Sequence, residues 1–143
     1  MIIIIEISYF FHICGFILKD ISMRKIFLVE DDQAIREVLE MVLSSGNYDV
    51  QSFSTFRAFT ERDINVTPDL YMFDVMLPDG SGIDLCDEIK KDLDNNGIPI
   101  IIIMSAHATL DHICRSCEPD DFIPKPFDID ALLLKVHEII ENK

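Results

Sequence analysis

Tryptophan is absent from these 143 residues, and basic side chains are scarce: 12 Lys and Arg stand against 26 Asp and Glu, a formal net charge of −14. A chain so acidic, with no basic stripe to offset it, repels nucleic-acid phosphates, so no nucleic-acid partner is expected. Metal cations and basic protein patches are the more natural ligands. Cysteine is limited to Cys14, Cys86, Cys114 and Cys117, which do not form the dense pattern of a secreted disulfide framework. The expected compartment is a reducing cytoplasm. The length suits one domain around one sizeable core and leaves no room for a second full domain.

Charge is missing most of all from the first residues. Positions 1–18 carry one formal charge, Glu6, together with His12, among Ile and Phe. The positive start and small-residue cleavage site of a signal peptide are lacking. Eighteen residues are marginal for a membrane span, and Glu6 weakens the case further. Met23 is followed by Arg24, Lys25 and then an apolar run. Residues 1–23 therefore read as an apolar leader, most economically an upstream start without a structural role. A membrane-associating segment and an extra packed element are the alternatives. Membrane contact is expected only if residues 1–22 belong to the protein, and then through 1–18. The domain proper is expected over 24–143, with no linker, repeat or low-complexity segment.

Two hydrophobic periods alternate from Lys25 onward. Ile26-Phe27-Leu28-Val29 is a short, continuous apolar run, as in a strand buried on both faces of a parallel sheet. Ile35, Val38, Leu39, Val42 and Leu43 follow helical spacing, and Gly46-Asn47 supplies a stop. Residues 48–53 read as a second strand, 55–62 as a short helix and 69–74 as a third strand. Ser81-Gly-Ile-Asp84 resembles a capping box opening a helix through Cys86, Ile89 and Leu93. Asn95-Asn96-Gly97 turns the chain into an apolar strand over 98–104. A short helix is expected over 110–117, a strand over 120–124, and a last helix over 128–141. That helix sets Ile129, Leu132, Leu133, Val136, Ile139 and Ile140 on one face. Five strand–helix units in strict alternation predict an α/β fold, a doubly wound five-stranded parallel sheet with helices on both faces.

Ligands in such sheets bind beyond the carboxyl ends of the strands. The first strand ends in Glu30-Asp31-Asp32 and the third in Asp74, which opens a Pro-Asp-Gly-Ser-Gly loop. The fourth ends in Ser105-Ala106 and the fifth just before Lys125-Pro126. Each alone has a plainer explanation: Asp32 can cap the first helix, Ser105 can cap the fourth, and Lys125 can be solvated. Carboxylates, a hydroxyl and an ammonium converging on one edge are complementary, and the functional reading explains all of them together. Clustered carboxylates repel one another, and a hard divalent cation such as Mg²⁺ relieves that repulsion. Asp74 then has the chemistry of a phosphoryl acceptor, with Lys125 and the Ser105 hydroxyl against the phosphoryl oxygens.

The stretches IFLVEDDQAIREVLEMVL, PDLYMFDVMLPDGSGIDL, IIIIMSA and DDFIPKPFD, in that order, resemble the receiver domain of two-component response regulators, over residues 25–143. The resemblance is to single-domain, chemotaxis-type receivers and implies the flavodoxin-like strand order 2-1-3-4-5. It implies that Asp74 is phosphorylated by a sensor histidine kinase or a histidine phosphotransfer protein. It also implies Mg²⁺, for which Mn²⁺ would substitute, held by Asp31 and Asp74 directly, by Glu30 largely through water, and by the Met76 backbone carbonyl. Ser105 becomes the switch hydroxyl, Lys125 the phosphate-pairing lysine before a proline often cis in the family, and Phe122 the aromatic switch. Met76 and His107 fall at positions that tune phosphoryl lifetime. Such a domain is not an enzyme in the usual sense; it promotes its own metal-dependent phosphorylation and slow dephosphorylation. Without a recognisable output domain it is expected to signal by protein contact, its downstream target unspecified. Glu118-Pro119 replaces the family's small pair before the fifth strand, and Pro119 is expected to end the preceding helix early.

Two other function classes fit less well. A phosphatase or phosphotransferase with an aspartyl nucleophile usually carries a second acid two residues on, where this chain has Met76. A degenerate receiver serving as a constitutive binding module would have lost the acidic pair, the aspartate or the lysine, all of which are present. Cys114-Arg-Ser-Cys117, with His107 and His112 nearby, supplies only two sulfur ligands and lies within an expected helix. It reads as packing or surface cysteine, neither a zinc site nor a redox dithiol.

Overall fold

The computed structural model describes residues 22–92, 99–106 and 117–142. The expected leader, apart from Ser22 and Met23, lies outside the described residues. So do the turn at 95–97, His107, His112, Cys114 and the helix expected over 110–117 up to Cys117.

The described elements are β1 (Lys25–Val29), α1 (Gln33–Ser45), β2 (Asp49–Phe53), α2 (Phe56–Thr60) and β3 (Leu70–Asp74). A small hairpin, β4 (Met76–Leu77) with β5 (Gly80–Ser81), leads into α3 (Gly82–Lys91). Then come β6 (Ile101–Ser105), β7 (Asp121–Pro124) and α4 (Ile129–Glu141). The main sheet is parallel with order β2-β1-β3-β6-β7. This is the flavodoxin-like order implied by the family resemblance, with its crevice where the order reverses between β1 and β3.

Two cores follow from the alternation of side chains along each strand. Ile26, Leu28, Leu70, Met72, Ile102, Met104 and Ile123 face Leu39 and Leu43 of α1 and Leu132, Val136 and Ile140 of α4. Their neighbours Phe27, Val29, Phe53, Tyr71, Phe73, Ile101 and Ile103 face Phe59 of α2 and Ile83, Leu85 and Cys86 of α3. On this second side Phe59 meets Phe53 and Phe73 edge to face at 5.3 and 5.2 Å, a favoured aromatic geometry.

Helix starts follow the residues at hand. The Asp32 carboxylate accepts from Ile35 N–H at 3.0 Å, and the Thr55 hydroxyl from Ala58 N–H at 3.0 Å. The Ser81 hydroxyl accepts from Ile83 N–H at 3.1 Å, leaving donors of each first turn satisfied. After α1, Asn47 and not Gly46 takes the left-handed conformation, at φ 66°, which asparagine tolerates.

The differences from the sequence reading lie at boundaries and stripe edges. The fourth sheet strand begins at Ile101, past Pro99, which has no N–H to give a ladder. Helix α2 is only five residues long, because Thr55 caps it and Glu61 ends it. Val38 and Ile129, placed on the apolar faces by periodicity, are 40% and 45% exposed. Nothing in residue spacing signals that Cys86 and Cys117, 31 residues apart, meet side by side, their Cα atoms separated by 6.1 Å. Both are buried, so of the two expectations for Cys117, packing or surface-lying, packing is the one met, although Cys117 itself lies outside any helix. Among the described residues no helix is long and apolar enough to cross a membrane.

Candidate functional site

Strand register builds the site. In the β1–β3 pairing Val29 lies beside Phe73, so the next row places Glu30 beside Asp74. Both continue the side-chain parity of the α1–α4 face, at the carboxyl edge of the sheet. Met104 pairs with Asp74 and Pro124 with Ser105, which brings Ser105 and then Lys125 to the same edge. Backbone bonds fix this end: Glu30 N–H donates to Phe53 O at 3.1 Å, and Lys125 N–H to Ser105 O at 3.0 Å.

Glu30, Asp74 and Ser105 are buried, at 1%, 6% and 4% exposure, whereas Asp31 is exposed. One carboxylate oxygen each from Glu30, Asp31 and Asp74 lies within 4.8 Å of the others. Three hard oxygen donors, one of them open to solvent, fit a Mg²⁺-type ion, which keeps part of its water shell. Among the described residues, the one cation inside the group is Lys125. Its Nζ lies 2.6 Å from Glu30 Oε2 and 3.4 Å from Asp74 Oδ2. Its peptide bond to Pro126 is cis.

Burial dominates the electrostatics. The Glu30 carboxyl is raised from about 4.5 to about 7, chiefly by desolvation, with the nearby Asp74 charge acting the same way and the Lys125 hydrogen bond opposing it. Desolvation likewise raises Asp74, opposed by the Lys125 charge, by a hydrogen bond with Glu30 and by the Met76 N–H. Two adjacent acids thus share one ammonium, and the pair holds protons more tightly than free carboxylates do.

The loop after β3 is anchored twice. Asp79 accepts from the N–H groups of Phe56 at 2.8 Å and Arg57 at 3.0 Å. The Arg57 N–H is the chief cause that lowers its carboxyl. Gly82 N–H donates to Val75 O at 3.1 Å. A Cβ on Gly82 would stand 2.1 Å from the Asp74 carbonyl oxygen, so only glycine lets α3 start this close to Asp74.

The sequence-derived set therefore largely meets at one edge. Glu30, Asp31, Asp74 and Lys125 form the cluster, with Ser105 at the adjacent strand end. Met76 is 65% exposed beside it. Phe122 is half-buried and packs against the α2–α3 core, on the other side of the sheet from the carboxylates. His107 lies outside the described residues. Sequence reasoning missed Arg36, Asp79 and Gly82. The Pro-Asp-Gly-Ser-Gly run marks a turn but not which of its residues anchors it.

Comparison with known proteins gives one consistent answer. The family model described as the response regulator receiver domain matches residues 26–137. The response regulator ArlR of Staphylococcus saprophyticus is 34% identical over 122 residues, covering 85% of this chain and 54% of that protein. The sensory transduction protein BceR of Halalkalibacterium halodurans is 34% identical over 121 residues, 84% of this chain and 51% of that protein. The chain thus spans about half the length of these curated relatives. Among solved structures, a CheY-like receiver domain protein from Methanospirillum hungatei superposes with a TM-score of 0.75 at 26% identity, covering 85% of this chain and 96% of its own. The response regulator TrrA of Thermotoga maritima, solved in complex with Mg²⁺-BeF, gives 0.70 at 25% identity, with 82% and 99% covered.

Proposed function

This chain belongs to the response regulator receiver domain family of two-component signalling, and from that membership we propose that Asp74 is its phosphoacceptor. The observation that carries the reading is the cluster itself: three carboxylates within 4.8 Å at the strand ends, with the Lys125 ammonium among them. The TrrA neighbour, crystallised with Mg²⁺-BeF, supports the same reading.

The donor is a phosphohistidine of a sensor kinase or a histidine phosphotransfer protein. An Asp74 oxygen attacks phosphorus, the P–N bond breaks, and its electron pair returns to the imidazole nitrogen. Lys125 moves its charge from the acids to the arriving phosphoryl oxygens, and the Ser105 hydroxyl donates to one of them. Asp31 and Asp74 would hold Mg²⁺ directly, with Glu30 acting through water and Met76 through its carbonyl. When bound, the ion neutralises charge on the transferring group. Slow hydrolysis of the aspartyl phosphate resets the domain, with Met76 and His107 at the positions that tune its lifetime.

Labelling tests this. Acetyl phosphate should phosphorylate the protein only with Mg²⁺ or Mn²⁺, the label should be hydroxylamine-sensitive, and Asp74→Asn should abolish it. A label that survives in Asp74→Asn, or that resists hydroxylamine, would remove the assignment.

A further inference from the structure

One basic residue next to the acidic cluster has no part in the chemistry above. Arg36 lies one turn into α1, and its backbone N–H donates to Asp32 O at 2.9 Å. Helical side chains slant toward the N-terminus of their helix, so its guanidinium reaches back over the β1–α1 loop. There Nη1 donates to the backbone carbonyl of Glu30 at 2.9 Å and to that of Asp31 at 3.3 Å. A cation at a helix N-terminus opposes the helix dipole, so this placement calls for a local cause. Both acceptors belong to the two acidic residues that end β1.

The bonds matter most for Asp31. The Glu30 side chain is buried and held by Lys125 at 2.6 Å. The Asp31 side chain is exposed, and among the described residues no hydrogen bond or ion pair engages it. Its direction is therefore set by the backbone that bears it, and Arg36 fixes the peptide planes on either side. We infer that Arg36 is a positioning residue for the cation site, clamping the Glu30 and Asp31 carbonyls so that the Asp31 carboxylate faces Asp74. The inference rests on the phosphoacceptor reading and adds to it how the loop is kept in register.

A mere counter-charge gives the opposite outcome. If Arg36 only offset the carboxylates, its removal would strengthen the local negative field and tighten cation binding. If it positions them, removal weakens binding. Calorimetric titration of the full, metal-free chain with Mg²⁺ separates the two. Arg36→Ala should weaken Mg²⁺ binding about tenfold or more, the usual effect of losing an outer-shell support, with a matching loss of Mg²⁺-induced melting shift. Arg36→Lys keeps the charge and one donor head but not the fixed fork, and should fall between Ala and wild type. It also serves as the readout if Arg36→Ala fails to fold. Unchanged or tighter binding in Arg36→Ala, or Arg36→Lys equal to wild type, overturns the inference while leaving the phosphoacceptor reading intact. Wild type that neither binds Mg²⁺ nor labels on Asp74 overturns both.

Discussion

The Lys125 ammonium lies nearer to Glu30, at 2.6 Å, than to Asp74, at 3.4 Å. The residue expected to pair with the phosphoryl group is thus engaged by the acidic end of β1. Both side chains of the closer pair are largely buried, at 13% and 1% exposure. Breaking such a pair from one side typically costs about 3–5 kcal/mol. Lys125→Met should therefore lower the melting temperature of the metal-free protein by more than 5 °C, since about 1 kcal/mol shifts a domain of this size by roughly 3–5 °C. Mg²⁺ should restore a larger share of stability in the variant than it adds to wild type, because it meets uncompensated carboxylates. Equal Mg²⁺ shifts in the two proteins would show that lysine and cation do not share these ligands.

The raised Glu30 carboxyl gives a pH dependence of definite sign. Its folded value, about 7, lies above the ordinary 4.5, so the folded state binds this proton more tightly than the unfolded chain. Stability from this group is greatest below pH 4.5, falls as pH rises, and is fully lost above 7. Metal-free wild type should therefore lose about 1–3 kcal/mol relative to Glu30→Gln between pH 5 and pH 8. Urea unfolding of both proteins at the two pH values measures this. Parallel changes would mean that Glu30 titrates normally.

Much of this was legible from Lys25 onward, for physical reasons. The β1 run is continuous because both of its faces are covered, and Glu30 and Asp74 stand out because buried strands rarely end in acids without cause. The parallel order was implied by family likeness, and the strand register that seats Glu30 beside Asp74 by no local pattern. Boundaries slipped where one residue changes the hydrogen bonding: Thr55 as a cap and Pro99 without a donor. Arg36 escaped notice because an arginine on an amphipathic helix reads as solvated. Its contacts with the Glu30 and Asp31 carbonyls depend on how the helix folds back over the loop.

Gly82 tests how tightly the loop and helix constrain Asp74. The nearest atom to a new Cβ is backbone, the Asp74 carbonyl oxygen at 2.1 Å, with Phe73 Cβ at 3.0 Å. Neither can rotate away. Gly82→Ala should push α3 from β3, destabilise the fold by about 2–3 kcal/mol as overpacking commonly does, and slow acetyl phosphate labelling of Asp74. Gly46→Ala is the control, because there the closest atom is the flexible Leu133 Cδ2, so labelling should be unaffected. A Gly82→Ala protein as stable and as readily labelled as wild type would show that the helix start tolerates a side chain.

If Asp74 is the phosphoacceptor proposed above, signalling requires that the charge placed on it reach the surface. Ser105 is buried at the end of β6 and its carbonyl accepts the Lys125 N–H at 3.0 Å. By the reading proposed above, a phosphoryl group on Asp74 should draw the Ser105 hydroxyl and Lys125 toward itself, and both motions should pull on β7. Phe122, three residues before Lys125 and only half-buried, can turn inward as Ser105 leaves its place. Differential contact with that one group is the only source of free energy for the shift. Phosphorylation, or a beryllofluoride mimic, should therefore perturb the amides of residues 105–106 and 117–127 more than those of 48–62. Ser105→Ala should keep Asp74 labelling but shrink the perturbation over 117–127, because Lys125 alone then carries the pull. Phe122→Ala should leave the shifts at Ser105 while removing those that ring reorientation causes. Equal perturbation of 117–127 in wild type and Ser105→Ala would mean that the lysine, without the hydroxyl, couples the site to this edge.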